Sequence, residues 1–181
     1  MDLGLTGRVA VVAAASKGLG RAVAEELVRE GAHIALCART SSTLAETAAD
    51  IQKITGRRVF PQALDVTDSK AVAAFITAVE APFGKLDICV TNSGGPPSNS
   101  FKSTQPEDWR SAVDQLLMRT VFFTRETLPR MQKKKWGRLI TITSSAVKQP
   151  WTAYCFRIRL APLSPAWRAL SPMNTRPMAS P

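Results

Sequence analysis

Val9-Ala10-Val11-Val12-Ala13-Ala14-Ala15-Ser16-Lys17-Gly18-Leu19-Gly20 joins an unbroken apolar run to a short glycine-bearing segment, and from Arg21 onward the residues repeat with helical spacing. A continuous apolar run of this length suits a strand buried on both faces of a parallel sheet. The segment after it reads as a strand-to-helix turn. The helix it opens gathers unpaired backbone N–H groups at the positive end of its dipole, a setting that holds a pyrophosphate without a dedicated cationic pocket. Glycines in a turn are by themselves a weak signal, because a turn that binds nothing has the same composition. The remainder of the chain decides between the two.

Outward from this turn, residues 8–14 read as the first strand and 19–30 as a helix, with Leu19, Val23, Leu27 and Val28 on its buried face and Gly31 ending it. Residues 33–38 form a second apolar strand. Ser41-Ser42 offers an N-cap for a helix over 44–54 that Gly56 closes, and 58–64 is a third strand that Pro61 marks as an edge. Asp65-Val66-Thr67-Asp68 leads into a helix over 69–80. A fourth strand over 86–90 runs into Thr91-Asn92-Ser93-Gly94-Gly95-Pro96-Pro97, which continues neither helix nor strand. Two separate helices near 107–117 and 121–135 precede a fifth strand over 138–143. Strands alternating with helices at this spacing imply an α/β fold with a doubly wound parallel sheet whose strand order reverses beside the first strand. Ligands of such sheets bind at the carboxyl ends of the strands at the reversal, where the opening turn, Asp65 and Asn92 converge.

The chain has 181 residues, 45% of them apolar, which is ordinary for one globular domain. Its net charge of +10 is unevenly placed: residues 151–181 hold Arg157, Arg159, Arg168 and Arg176 and no acid, and elsewhere Lys133-Lys134-Lys135 is the only basic run. That run falls at a helix end, where cations suit the dipole, so nucleic acid is not an expected partner. No stretch approaches the roughly 18 apolar residues of a membrane span, and Met1-Asp2-Leu3-Gly4-Leu5 lacks the pattern of a signal peptide; a cytoplasmic location with no membrane partner is expected. Cys37, Cys89 and Cys155 lack metal or disulfide spacing and read as buried thiols. His33, the only histidine, reads as a strand-edge residue rather than a catalyst.

From Leu5 to Pro150 the sequence resembles the short-chain dehydrogenase/reductase family. The family's Thr-Gly-x-x-x-Gly-x-Gly fingerprint matches Ala13 to Gly20, with Ala14 in place of the first glycine; its Asp-Val matches Asp65-Val66; its Asn-Asn-Ala-Gly loop matches Thr91-Asn92-Ser93-Gly94. The resemblance implies a Rossmann-type sheet and a nicotinamide dinucleotide. In it Ala14, Ser16, Lys17, Gly18, Leu19 and Gly20 surround the pyrophosphate, Asp65 and Val66 meet the adenine, and Asn92, Ser93 and Gly94 lie by the ribose. Where a carboxylate would select NAD, the end of the second strand carries Ala38-Arg39, and Arg39 with Lys17 suits the 2′-phosphate of NADP; NAD is the less favoured cofactor. The implied activity is hydride transfer between nicotinamide and a small carbonyl or alcohol substrate, by a protein that in this family is a homo-oligomer.

The catalytic set is less complete. The resemblance assigns the substrate-polarising serine to Ser144, but the slots for the family's asparagine, tyrosine and lysine hold Leu116, Arg157 and Ala161. Tyr154, the only tyrosine, is followed four residues later by Ile158. After Pro150 the composition changes, and Pro162, Pro165, Pro172 and Pro177 interrupt every candidate element. Reading codons one nucleotide earlier makes this stretch compatible with a family helix, including Ser at position 157 and Arg at 161, as in an atypical subgroup with Ala-Ala-Ser-Lys-Gly-Leu-Gly openings. The expectation is therefore a dinucleotide-binding domain over 1–150 and an irregular, out-of-frame tail over 151–181. The sheet would be incomplete at its C-terminal edge, the fifth strand uncovered, and the oligomer interface lost. Two alternatives are a nucleotide-binding protein without catalysis and a non-functional product.

Overall fold

Side chains alternate across a strand, so each residue of β1 (Val9–Ala13) must find apolar partners on one of two faces. All five are buried. Val9, Val11 and Ala13 pack with Phe75, Ile76, Val79 and Phe123, whereas Ala10 and Val12 pack with Ala24, Val28, Leu44 and Ile51. The computed structural model, which describes residues 3–95 and 101–144, supplies those partners from two helical layers. α1 (Gly18–Arg29) and α2 (Ser41–Thr55) cover one face; α3 (Ser69–Phe83) and α5 (Arg119–Lys133) cover the other.

β1 pairs in parallel with β2 (His33–Ala38) on one side and β4 (Ile88–Thr91) on the other. β3 (Val59–Ala63) extends the sheet beyond β2, and β5 (Arg138–Thr141) extends it beyond β4. The order β3-β2-β1-β4-β5 is the doubly wound arrangement, with its reversal beside β1 and Pro61 on an edge strand as the sequence predicts. At the other edge Ile140 of β5 is 47% exposed. Among the described residues no helix is long and apolar enough to cross a membrane.

The amino ends of three strands meet at Asp87, which is 2% exposed. Its carboxylate accepts the Val9 N–H at 2.9 Å and the Lys134 ammonium at 3.0 Å, with Arg8 and Lys85 each 3.7 Å away. Its main chain donates to the Val9 carbonyl at 2.8 Å and accepts from the Arg138 N–H at 3.0 Å, so one residue ties β1, β4 and β5 together. Burial pushes this carboxyl up, but the Val9 N–H, Lys134 and Lys85 together outweigh it and hold the group below the usual aspartate range. Lys134 therefore does more than complement a helix dipole: it also donates to the Leu86 carbonyl at 2.6 Å.

At the opposite end of β1, Ala14 has φ 51°, a left-handed conformation that favours glycine. Neighbouring bonds hold it there: Ala15 N–H donates to the Cys37 carbonyl at 3.1 Å, and the Thr47 hydroxyl to the Ser16 carbonyl at 3.0 Å. Gly20 fits against this turn because it lacks a side chain. A Cβ there would collide with the Ala14 carbonyl oxygen and stand 3.1 Å from Ala15 Cα.

Four local expectations are corrected. Leu19, expected on the buried face of α1, is 67% exposed, because the face that packs inward carries Gly20, Ala24 and Val28 and Leu19 lines the cavity beside it. The N-cap of α2 is Thr40, with no side-chain capping bond, and Ser41 and Ser42 lie inside the helix. α3 runs three residues past the expected end and takes Pro82 into its final turn. The two helices expected near 107–117 and 121–135 are one continuous path: α4 (Pro106–Val113), a π-helical turn at Asp114–Met118, and α5. Nothing in Asp114–Met118 stops a helix, and αR backbone at Val113 and Arg119 carries α4 through the π turn into α5. The expected boundary at residue 150 and the tail over 151–181 lie outside the described residues.

Asp87→Asn removes the charge shared by Val9, Lys134, Arg8 and Lys85, and is expected to lower unfolding free energy by about 2–3 kcal/mol at neutral pH in denaturant titration. Because the folded carboxyl is held below its unfolded value, its contribution is complete above the unfolded pKa and fades as pH falls through the folded one, so the wild-type advantage shrinks in acid. Ala14→Gly relieves the left-handed alanine and is expected to raise stability by about 0.5–1 kcal/mol, read as an increased denaturation midpoint.

Candidate functional site

The carboxyl ends of the strands surround a cavity of about 840 Å³. One wall is the β1–α1 turn, contributing Ala14, Ser16, Lys17, Gly18 and Leu19. Lys17 is the N-cap of α1; no side chain caps this end and no acid stands in the first turn. The helix dipole and the N–H groups of its first turn thus face the cavity with no acid in that turn. Gly18 has φ 59°, and with Gly20 set close under Ala14 the backbone itself forms this wall. Gly20 is buried and supports the turn without lining the cavity. The exposure of Leu19 follows from the same placement.

A second wall comes from the ends of β2 and β3. Arg39 and Thr40 follow β2, while Leu64, Asp65, Val66 and Thr67 follow β3. Asp65 Oδ1 accepts from the Thr67 N–H at 2.9 Å and the Thr67 hydroxyl at 2.8 Å, an Asx turn that fixes the carboxylate. The Thr67 N–H foremost, then its hydroxyl and the charge of Arg39, outweigh burial and hold Asp65 below the usual range. Asp65 is ionised at neutral pH beside a positively charged, exposed Arg39.

Asn92, Ser93, Gly94 and Gly95 continue from β4, and Thr141 to Ser144 from β5. The Thr91 and Thr141 hydroxyls hydrogen-bond at 3.1 Å and hold the two strand ends in register. The last wall is the π turn and the start of α5, where Asp114, Gln115, Leu116 and Arg119 line the space. The sequence-predicted residues thus meet at one cavity, Gly20 excepted, and Leu116 occupies the wall where the resemblance called for an asparagine. Tyr154, Arg157 and Ala161 lie outside the described residues.

Other candidates stand apart. His33 stacks on Phe83 with ring centroids 5.8 Å apart, and burial, followed by the charges of Arg57, Arg58 and Lys85, lowers its pKa. Cys37 and Cys89 are fully buried; burial pushes the Cys89 thiol up to about 12 and raises Cys37 as well, so neither is a thiolate nucleophile at neutral pH. Arg119 is the residue that sequence reasoning missed. Its signal was an arginine in line with the buried face that carries Phe123, Thr127 and Met131, hidden because residues 118–120 were read as a gap between helices.

Comparison with known proteins agrees with this geometry. The sequence profile of the short chain dehydrogenase family matches residues 8–156. The 3-oxoacyl-[acyl-carrier-protein] reductase FabG of Escherichia coli is 32% identical over 138 residues, covering 76% of this chain and 55% of that protein. The glycine betaine reductase ATRR of Emericella nidulans is 36% identical over 142 residues, 78% of this chain and 11% of the relative. The chain thus spans about half the length of the bacterial relative. The crystal structure of L-sorbose reductase from Gluconobacter frateurii, complexed with NADPH and L-sorbose, superposes with a TM-score of 0.87 at 33% identity, over 94% of this chain and 65% of that one. NAD+-bound xylitol dehydrogenase shares the fold with the same TM-score at 22% identity. A parallel sheet reversed beside β1, a glycine-bearing turn at its switch point and a profile match over most of the sequence agree on one conclusion: the chain belongs to the short-chain dehydrogenase family.

Proposed function

We propose that this chain binds NADP(H) and serves an oxidoreductase that moves a hydride between the nicotinamide and a small carbonyl or alcohol substrate. The observation that carries this reading is the uncapped N-terminus of α1 opening on the cavity that Arg39, Asp65 and Asn92 also line. Its first-turn N–H groups suit a pyrophosphate, and the Gly20 contact lets backbone approach that group closely. Lys17 and Arg39 are exposed cations on adjoining walls and suit a 2′-phosphate; no acid follows β2 to oppose one. The NADPH carried by the sorbose reductase supports the same choice.

When bound, the nicotinamide supplies the hydride donor or acceptor. The chain's own residues position the reactants around it. Asp65, fixed by Thr67, offers a preset acceptor to the adenine end, and Asn92 to Gly94 form the wall beside the neighbouring ribose. Ser144, which lines the cavity beyond the end of β5, suits a hydrogen bond to the substrate oxygen. Leu116 supports a second reading, nucleotide binding without turnover, because it places an apolar side chain where the family has a polar one.

NADPH fluorescence titration tests the first step. Lys17→Ala and Arg39→Ala are each expected to weaken NADPH binding about tenfold, the size of one charge-assisted contact, and to leave NADH binding within about twofold. Equal losses for both cofactors would remove the 2′-phosphate assignment, and no NADPH binding by the wild type would end the proposal. Turnover of a carbonyl panel with NADPH, lost in Ser144→Ala, separates the enzyme from the binding-only reading.

A further inference from the structure

Arg119 is 3% exposed, lines the cavity at the start of α5, and has no ion pair among the described residues. Its Nε donates to the Gln115 carbonyl in the π turn at 2.5 Å, while its Nη1 is buried without a hydrogen-bond partner. Burial alone lowers its pKa, to about 10, and no neighbouring carboxylate opposes the shift. The guanidinium is therefore charged at neutral pH, and a buried charge with a single carbonyl partner among the described residues is strongly unfavourable until a counter-charge arrives.

The described residues offer none. The chain's last acidic residue is Glu126, which pairs with Arg130, and outside the described residues the only acidic side chain is Asp2. Asp114 lines the same cavity but is exposed and contributes nothing to the Arg119 pKa. Among the described residues no carboxylate pairs with Arg119, which leaves its charge open to an anion in the cavity it lines.

We infer that Arg119 recognises a carboxylate on the substrate, so that the cavity takes a keto acid or hydroxy acid rather than a neutral ketone or alcohol. This rests on the oxidoreductase reading above and sharpens its substrate class. A carboxylate suits the site better than a phosphate. Arg119 is a lone cation with its Nε already engaged and Asp114 on the same wall, which matches one negative charge and disfavours two. The cations that suit a phosphate, Lys17 and Arg39, stand on other walls of the cavity.

The test uses the full chain saturated with NADPH and titrated by calorimetry with pyruvate, acetoacetate and 4-oxopentanoate, with acetone as the neutral control and inorganic phosphate as the competing anion. At least one keto acid is expected to bind about tenfold more tightly than acetone, as one charge-assisted contact provides. Arg119→Met should erase that preference while NADPH affinity stays unchanged, and Arg119→Lys should keep part of it. The inference is overturned if no keto acid surpasses acetone, if Arg119→Met keeps the full preference, or if phosphate alone binds in an Arg119-dependent way. Should Arg119→Met fail to fold, the wild-type ratio and Arg119→Lys decide. Should wild type not bind NADPH, the oxidoreductase reading fails separately, and the keto acid preference is read on the cofactor-free protein.

Discussion

A buried carboxylate at the amino end of a parallel sheet has to be neutralised from several directions, and Asp87 obtains this from the backbone of β1, the ammonium of Lys134 and the nearby Arg8 and Lys85. Each contact belongs to a different part of the chain. The Val9 N–H sets β1 against β4, the Asp87 carbonyl receives β5 through Arg138, and Lys134 returns the end of α5 to the point where β4 begins. With those ends fixed, the opposite ends of the same strands project Ala14, Asn92 and Thr141 toward one cavity. The architecture of the site is thus anchored at the far edge of the sheet, away from any ligand.

Most of the fold was legible because the apolar runs of β1, β2 and β4 are short, unbroken and separated by helical repeats, which only a parallel sheet covered on both faces accommodates. Strand order followed from the connections. What stayed hidden depended on packing that no local pattern encodes. Leu19 repeats in phase with Val23 and Leu27, yet the face that packs inward is the adjoining one of Gly20, Ala24 and Val28, and Leu19 is left at the cavity. Lys134 sits in a run of three identical residues, and nothing in the run distinguishes the one that reaches Leu86 and Asp87. The π turn was invisible because Asp114–Met118 contains ordinary helix formers.

The candidate site divides in the same way. Gly18, Gly20 and Asp65 were readable from their places after the strands and from the motifs they match, and the structure adds the backbone reasons: the positive φ of Gly18, the approach of Ala14 to Gly20 and the Asx turn of Asp65 onto Thr67. Ser144 depended on resemblance, since a serine after a strand has no pattern of its own. Arg119 could be recognised only once the described acids were in place, because its character comes from the absence of a counter-charge around it. Ala14 shows sequence and structure in tension: the alanine departs from the family's glycine, yet the chain retains the left-handed conformation that glycine would adopt freely.

β1 is hydrogen-bonded along both edges and covered on both faces, whereas β3 and β5 are each paired on one side among the described residues. Opening of the backbone to solvent therefore has a gradient across the sheet: amides of β1 exchange with deuterium only through large-scale unfolding, and those of β3 and β5 through smaller, cheaper openings. Asp65 and Ser144 hang from the two yielding strands, and the glycine-bearing turn from the rigid one. A dinucleotide lying across the cavity would bridge all three, so its arrival should be felt as slowed exchange in β3 and β5 more than in the strand that leads into its own phosphates.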